Sequence, residues 1–310
     1  MITTVNKRVW VALAVMAAAF ALASCDRNKN QQQAQTFEFE KPPETDRGLN
    51  QTELDSLRSM KITHHITRDD YWDMKGGVIG NDRFEVWYSS RKIYVLQAIA
   101  VLKQMDQMSA QIEKSFGRVP TRKLVVLCAP NLATFQKATG KDWWHYSLIK
   151  GDTLSMQTPM TLYMRGLLQV AARREYSRWV MRDFTQGKAP EWLVWGMSGY
   201  LGGERDVYRG QRKEYAKEPL RMDKVDEINK ALQKDDDRIS SRRAMYNAYL
   251  MVNQLVETNG MPSVAAFILA IPEEKDVNAA AQRVFSKSYD ELLAQARAWT
   301  EPVSEAEATP

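Results

Sequence analysis

The pattern of apolar and polar residues predicts strands in the first half of the chain and helices in the second. Residues 84–88 have strand propensity with partial alternation, and the apolar residues 123–128 predict a second strand. Between them, apolar side chains recur at helical spacing from about residue 91 to residue 116. Strand, helix and strand in this order predict a crossover helix that packs on a sheet.

A short helix and a hairpin follow the second strand. Residues 132–138 predict a helix, with Asn131 as its N-terminal cap and Gly140 at its end. Residues 146–149 and 153–157 predict two strands joined by a turn at Gly151-Asp152. Together with the preceding elements, they predict a small mixed β-sheet with one crossover helix.

The remainder of the chain predicts a mostly helical subdomain. Helical periodicity covers residues 161–183, and a second helix begins at Pro190 and closes at Gly202-Gly203. Further helices are predicted at residues 223–233, 241–257, 261–270, 277–285 and 289–299. The predicted fold class is therefore α+β.

The N-terminus has the pattern of an export signal. Lys7 and Arg8 precede an apolar run at residues 9–23, which is too short to be a good spanning helix. The run ends in Leu-Ala-Ser-Cys at residues 22–25, which resembles a bacterial lipobox. We therefore predict a signal peptide at residues 1–24, lipidation of Cys25 and a place in the bacterial cell envelope, facing the periplasm or the cell surface. An ordinary signal peptide with a chance cysteine, or an uncleaved anchor, stays open, and either one also predicts export.

Composition divides the rest of the chain. Residues 25–50 are polar, rich in Gln and interrupted by Pro42-Pro43, which predicts a flexible tether. Residues 51–80 are predicted to be an N-terminal extension with a short helix at 53–60. Residues 81–300 carry the predicted main domain, and residues 301–310 predict a disordered acidic tail.

Charge and cysteine content exclude several functions. The chain has 310 residues, 44% of them hydrophobic and 26% charged, which is typical of a globular protein. The formal net charge is +5 and falls to +3 without residues 1–24, which is too mild for a nucleic-acid-binding protein. Basic pairs such as Arg242-Arg243 are predicted on solvated helix faces. If Cys25 carries lipid, Cys128 remains alone, so no intramolecular disulfide is possible. Its apolar strand predicts an inert core thiol.

Two phrases in the helical half carry the candidate chemistry. Residues 174–178 (REYSR) have the length of the HExxH motif of zinc proteases. Glu175 stands where the motif has its glutamate, and Arg174 and Arg178 stand where it has its two histidines. Residues 190–200 (PEWLVWGMSGY) resemble the Pro-x-Trp-Leu-x-Glu-Gly-x-Ala-x-Tyr helix of gluzincin-type metallopeptidases, the peptidase-MA-like group. In that family the glutamate is the third zinc ligand, and here Trp195 stands in its place. The resemblance covers about residues 81–300.

The resemblance implies a zincin-like fold whose catalytic centre has been lost. A catalytic zinc needs three lone-pair donors, and neither a guanidinium nor an indole nitrogen offers one. Arg174, Arg178 and Trp195 are therefore degenerate metal-ligand positions, Glu175 is a vestigial catalytic glutamate, and we predict no metal and no cofactor. The family arrangement also implies that the strand at residues 153–157 is a sheet edge beside the former substrate cleft.

Two roles remain open for the arginines. They can form a salt-bridge network with nearby carboxylates and so replace the metal as the tie between the helices. They can instead clamp a carboxylate or phosphate of a ligand, which suits the fork geometry of the guanidinium. The candidate ligand or salt-bridge residues are Arg174, Glu175, Arg178, Glu191 and Glu204.

The leading functional hypothesis is a non-catalytic, lipid-anchored envelope protein that binds a protein or peptide or acts as a scaffold. One alternative is an active metallopeptidase or other hydrolase with unrecognised ligands, such as His145 and nearby acids. Another is a purely structural periplasmic lipoprotein. The adjacent His64 and His65 diverge in any regular helix or strand, so they do not suit one metal ion.

Overall fold

The computed structural model describes residues 61–67, 75–89, 92–205, 207 and 221–299. The predicted signal peptide, Cys25, the tether, the helix at 53–60 and the C-terminal tail lie outside the described residues. The described part is an α+β fold with one mixed sheet and a mostly helical C-terminal region. None of its helices is long and apolar enough to cross a membrane.

Six strands form the sheet, in the spatial order β1-β2-β3-β4-β6-β5. They are β1 Lys61–Thr67, β2 Lys75–Gly80, β3 Phe84–Ser89, β4 Leu124–Cys128, β5 Ser147–Lys150 and β6 Thr153–Met156. The pairs β3/β4 and β4/β6 are parallel, and the other three pairs are antiparallel.

Ten helices with defined bounds lie in the described residues. They are α1 Lys92–Phe116, α2 Leu132–Thr139, α3 Pro159–Met164, α4 Leu168–Thr185, α5 Glu191–Gly202, α6 Val225–Lys234, α7 Arg238–Asn259, α8 Met261–Ala270, α9 Val277–Phe285 and α10 Tyr289–Ala296.

The predicted crossover is confirmed. Helix α1 connects the parallel strands β3 and β4, whose register pairs Phe84 with Leu124. Its apolar stripe, including Met105, Met108 and Ile112, is buried in the main core. Cys128, at the end of β4, is a buried free thiol, and burial raises its pKa to about 12. The predicted inert core cysteine is thus what the strand contains.

The segment predicted as an N-terminal extension supplies two strands of the same sheet. Strand β1 pairs with β2, and β2 pairs with β3 from Gly76 opposite Ser89 to Gly80 opposite Glu85. The adjacent glycines of β2 interrupt the alternation that would have marked it as a strand. A Cβ atom on Gly77 would overlap the Tyr88 ring, so close packing favours glycine there.

The predicted sheet edge is wrong by one strand. Residues 153–157 contain β6, which lies inside the sheet because it pairs with β4 on one side and with β5 on the other. Leu154 and Met156 are fully buried there. In the described sheet, the edge beside this region is β5, the first strand of the hairpin.

The helix predicted over residues 161–183 is divided in two. Gly166 has a φ of +67°, a left-handed conformation that ends α3 before α4 begins at Leu168. Helix α4 then continues to Thr185 and ends at Gln186, which is also left-handed.

Helix α5 packs between α4 and α7, and its contacts with these two helices are the most extensive between described helices. A Cβ atom on Gly196 would overlap the backbone carbonyl of Ala248 in α7, so this glycine permits the close approach of the two helices. The later helices agree with the predicted bounds to within a few residues. Helix α7 begins earlier than predicted, at Arg238, because the Asp237 side chain accepts from the Ser240 amide and caps it.

Candidate functional site

Arg174, Glu175 and Arg178 form a buried network on α4. Glu175 is fully buried, and each arginine is 6% exposed. Arg174 Nε donates to Glu175 Oε1 at 2.8 Å, and Arg178 Nη2 lies 2.6 Å from Glu175 Oε2. Each carboxylate oxygen is therefore paired with a guanidinium, which is the pairing that a buried charge requires.

Strand β5 contributes one further donor to this network. The Ser147 hydroxyl donates to Glu175 Oε2 at 2.6 Å, and Arg178 Nη2 donates to the same hydroxyl at 3.5 Å. Ser147 is the first residue of β5, so the edge strand is hydrogen-bonded directly to the helix that carries the REYSR phrase.

Glu204 extends the network beyond α4. Arg174 Nη1 donates to Glu204 Oε1 at 2.9 Å, and Glu204 is 1% exposed. Glu204 follows the C-terminal end of α5, where the left-handed Gly203 turns the chain. Arg174 therefore bridges two carboxylates and ties α4 to the end of α5.

Trp195 of α5 meets both arginines. Its ring centre lies 4.2 Å from Arg178 Cζ and 5.6 Å from Arg174 Cζ, within the range of cation–π contacts. Arg174 also lies over the Tyr146 ring at 4.2 Å. The structure thus brings Arg174, Arg178 and Trp195, the three positions predicted to be degenerate metal-ligand positions, to one place.

The charges around Glu175 decide its protonation state. Burial raises the pKa of Glu175, but Arg178, Arg174 and the Ser147 hydroxyl together outweigh burial and hold this pKa below its ordinary value. The carboxylate is ionised at neutral pH, and its oxygens accept hydrogen bonds from Arg174 and Ser147 and form an ion pair with Arg178. It is poorly placed to take a proton from water, because protonation would cost it those contacts.

Glu191 does not join this network in the described structure. It is the first residue of α5 and lies 3.5 Å from Arg182 Nη2. Arg182 stands one turn beyond Arg178 on α4, and it is the arginine that Glu191 contacts. The expected grouping of Glu191 with Arg174 and Arg178 is corrected accordingly.

A second polar cluster joins the loop before β5 to the turn between α6 and α7. His145 Nε2 lies 3.0 Å from the Asp235 carbonyl oxygen and 3.3 Å from its Oδ2, and Lys141 Nζ lies 3.4 Å from Oδ2. Burial raises the pKa of Asp235, but the contacts with His145, Lys141 and Arg178 have the larger effect. The pKa of Asp235 therefore lies below its ordinary value. The sequence marked Asp235 only as part of an acidic loop.

His145, suggested as a possible metal ligand, is thus committed to Asp235. No group of three or more His, Cys, Asp or Glu side chains within the described ranges is arranged to hold a metal ion. His64 and His65 are neighbours in β1.

Arg242 also belongs to this region, although its sequence context predicts a solvated helix face. It is only 6% exposed. It comes from α7 and lines the same small pocket as Ser147, Glu175, Arg178, Trp195 and Asp235. The pocket is small and partly open to solvent. The prediction for Arg242 is wrong because adjacent helix positions point in different directions, and only the first residue of the Arg242-Arg243 pair lines the pocket.

No protein-family model matches the chain, and no curated protein matches its sequence.

Proposed function

We propose that the chain is a non-catalytic, lipid-anchored protein of the bacterial cell envelope with a zincin-like fold related to the gluzincin-type, peptidase-MA-like metallopeptidases. Its cleft binds a protein or peptide in place of cleaving one. The observation that carries this proposal is the occupation of both Glu175 oxygens by Arg174, Arg178 and Ser147.

The residues at the three ligand positions do not fit a catalytic zinc ion. Guanidinium and indole nitrogens are donors without a free lone pair, so they offer nothing to a metal. Arg174 and Arg178 also bring positive charge to the place where a dication would lie. The network instead connects α4 to α5 and to β5 through charged hydrogen bonds, which is the structural part of the task that a metal performs in a zinc site.

A binding role is supported by the strand beside the network. Strand β5 is one of the two edges of the described sheet, and an edge strand presents unpaired backbone groups to an extended peptide. Ser147 belongs to this strand and also contacts Glu175, so the edge and the buried network are physically joined. A peptide added to β5 would pass the mouth of the pocket that Ser147 and Trp195 line.

The experiment is a comparison of binding and cleavage by the purified full-length chain. A random-sequence peptide library is incubated with the protein, bound peptides are eluted, and the unbound fraction is examined for new termini by mass spectrometry. We expect retained peptides without cleavage. Cleavage that a chelator abolishes would contradict the proposal, as would the retention of no peptide at all.

A further inference from the structure

Among the described residues, Arg242 is a buried guanidinium without a counter-ion. It is 6% exposed, and no salt bridge joins it to any residue that the structure describes. Its Nε atom is enclosed and has no hydrogen-bond partner there. A buried charge without a partner lowers the stability of the fold. We therefore expect a guanidinium at this position to bind an anionic group.

The other charged groups of the pocket are matched among themselves. Arg174 and Arg178 are paired with Glu175 and Glu204. Asp235 is paired with Lys141, which reaches it from outside the pocket lining. Within the described part of the chain, Arg242 therefore remains as one unneutralised positive charge, and this balance suits a ligand group with a single negative charge.

The remaining polar atoms of the pocket indicate which chemical group a ligand would present to it. Trp195 Nε1 and Arg178 Nε are enclosed donors without partners among the described residues, and Asp235 Oδ1 is an enclosed acceptor in the same condition. All three residues line the pocket together with Arg242. Several donors beside one acceptor match a carboxylate that carries an N–H group close by, as in an amino-acid residue.

We propose that this pocket binds the carboxylate of a peptide, with Arg242 as its charge partner and the Trp195 indole N–H as a second donor. A doubly charged phosphate fits less well, because the carboxylates of Glu175, Glu204 and Asp235 line the same pocket and would repel it. The carboxylate comes from either the C-terminus or an acidic side chain. This inference rests on the proposed peptide-binding function and names the group that the cleft recognises.

The first test uses small probes on the full-length chain in detergent. The indole N–H signal of Trp195 is assigned by loss in Trp195→Phe and followed by NMR during titration. N-acetylglycine, which has a carboxylate and an N–H, is expected to shift this signal saturably. N-acetylglycinamide, which has no negative charge, and inorganic phosphate at about pH 8, where it is mostly a dianion, are expected to shift it at least about tenfold less effectively. Equal effects of N-acetylglycine and its amide would overturn the inference.

Arg242→Gln provides the matched variant, with Arg243→Gln as its control. Arg243 follows on the same helix and donates to the Arg221 carbonyl, outside the pocket lining. We expect Arg242→Gln to weaken N-acetylglycine binding at least about tenfold, and Arg243→Gln to leave it within about twofold. Because Arg242 has no salt-bridge partner to lose among the described residues, the melting temperature of Arg242→Gln should not fall. Undiminished binding by Arg242→Gln would contradict the proposed role.

Peptide libraries separate this inference from the function on which it rests. Three libraries are compared. The first has free C-termini and no Asp or Glu, the second has amidated C-termini and contains Asp or Glu, and the third has amidated C-termini and no Asp or Glu. Arg242-dependent retention of the first or second library supports the inference and identifies the source of the carboxylate. Equal retention of all three, unaffected by Arg242→Gln, would leave peptide binding in place and refute the carboxylate pocket. If no library is retained while N-acetylglycine binds through Arg242, the pocket stands and the peptide function fails.

Discussion

The Arg178 guanidinium lies 4.2 Å from the centre of the Trp195 ring, and this contact joins α4 to α5 where the two helices meet. The same guanidinium holds Glu175 on its own helix. A tryptophan beside two arginines is a stabilising arrangement, because the ring face attracts the guanidinium charges. Ion pairs and cation–π contacts together stabilise this junction of the helices.

Removal of the central carboxylate should cost a large part of the fold's stability. Glu175→Gln keeps the shape of the side chain but leaves Arg174 and Arg178 buried without their shared acid. We expect the free energy of unfolding to fall by about 3–5 kcal/mol in urea titrations, as for other broken buried ion pairs. Glu191→Gln is the control, since its pair with Arg182 is 40% exposed on the arginine side, and it should cost less than about 1 kcal/mol. Similar costs for the two variants would refute the buried network as a stabilising element.

The same carboxylate predicts a direction for the dependence of stability on pH. Because the folded-state pKa of Glu175 is below its ordinary value, its contribution is fully present above about pH 4.3 and is lost as pH falls through the folded-state pKa. The stability difference between the wild type and Glu175→Gln should therefore be constant near neutral pH and shrink below about pH 4. Unfolding midpoints measured at a series of pH values check this. A difference that instead grows toward acid pH would mean that Glu175 is protonated in the folded state.

The link between His145 and Asp235 should also be measurable. Asp235 has a φ of +46°, which asparagine tolerates well, so Asp235→Asn tests the charge without straining the backbone. We expect a loss of about 1–2 kcal/mol, since the charged contact with Lys141 and the pairing with His145 are weakened. Asp236→Asn, at an exposed neighbour in the same loop, should have an effect within about 0.5 kcal/mol. An equal effect at both positions would show that the cluster contributes nothing specific.

Local patterns predicted much of this molecule. The spacing of Arg174 and Arg178 placed them on one helix face, and periodicity alone accounts for α1, α8 and α9. Strand β2 was not predicted, because Gly76 and Gly77 have no side chains that could alternate. The break at Gly166 was not predicted either, because one glycine within an apolar run is compatible with a continuous helix.

The pairing of distant elements was beyond the local pattern. Whether β5 or β6 forms the sheet edge depends on which of them pairs with β4, and a hairpin sequence is the same in both cases. Arg242 and Asp235 line the same pocket as Arg174, although both are distant from it along the chain. Neither residue carries a sequence signal that separates it from its charged neighbours.

The zinc content of the purified full-length chain tests the central claim most directly. After exposure to equimolar zinc and removal of free metal, elemental analysis should find substoichiometric zinc in the wild type, because Arg174, Arg178 and Trp195 offer no lone pairs. A variant carrying Arg174→His, Arg178→His and Trp195→Glu together introduces the ligand types of a gluzincin-type zinc site and should retain about one zinc per chain. Stoichiometric zinc in the wild type, removed by a chelator, would contradict the claim that the metal site has been lost.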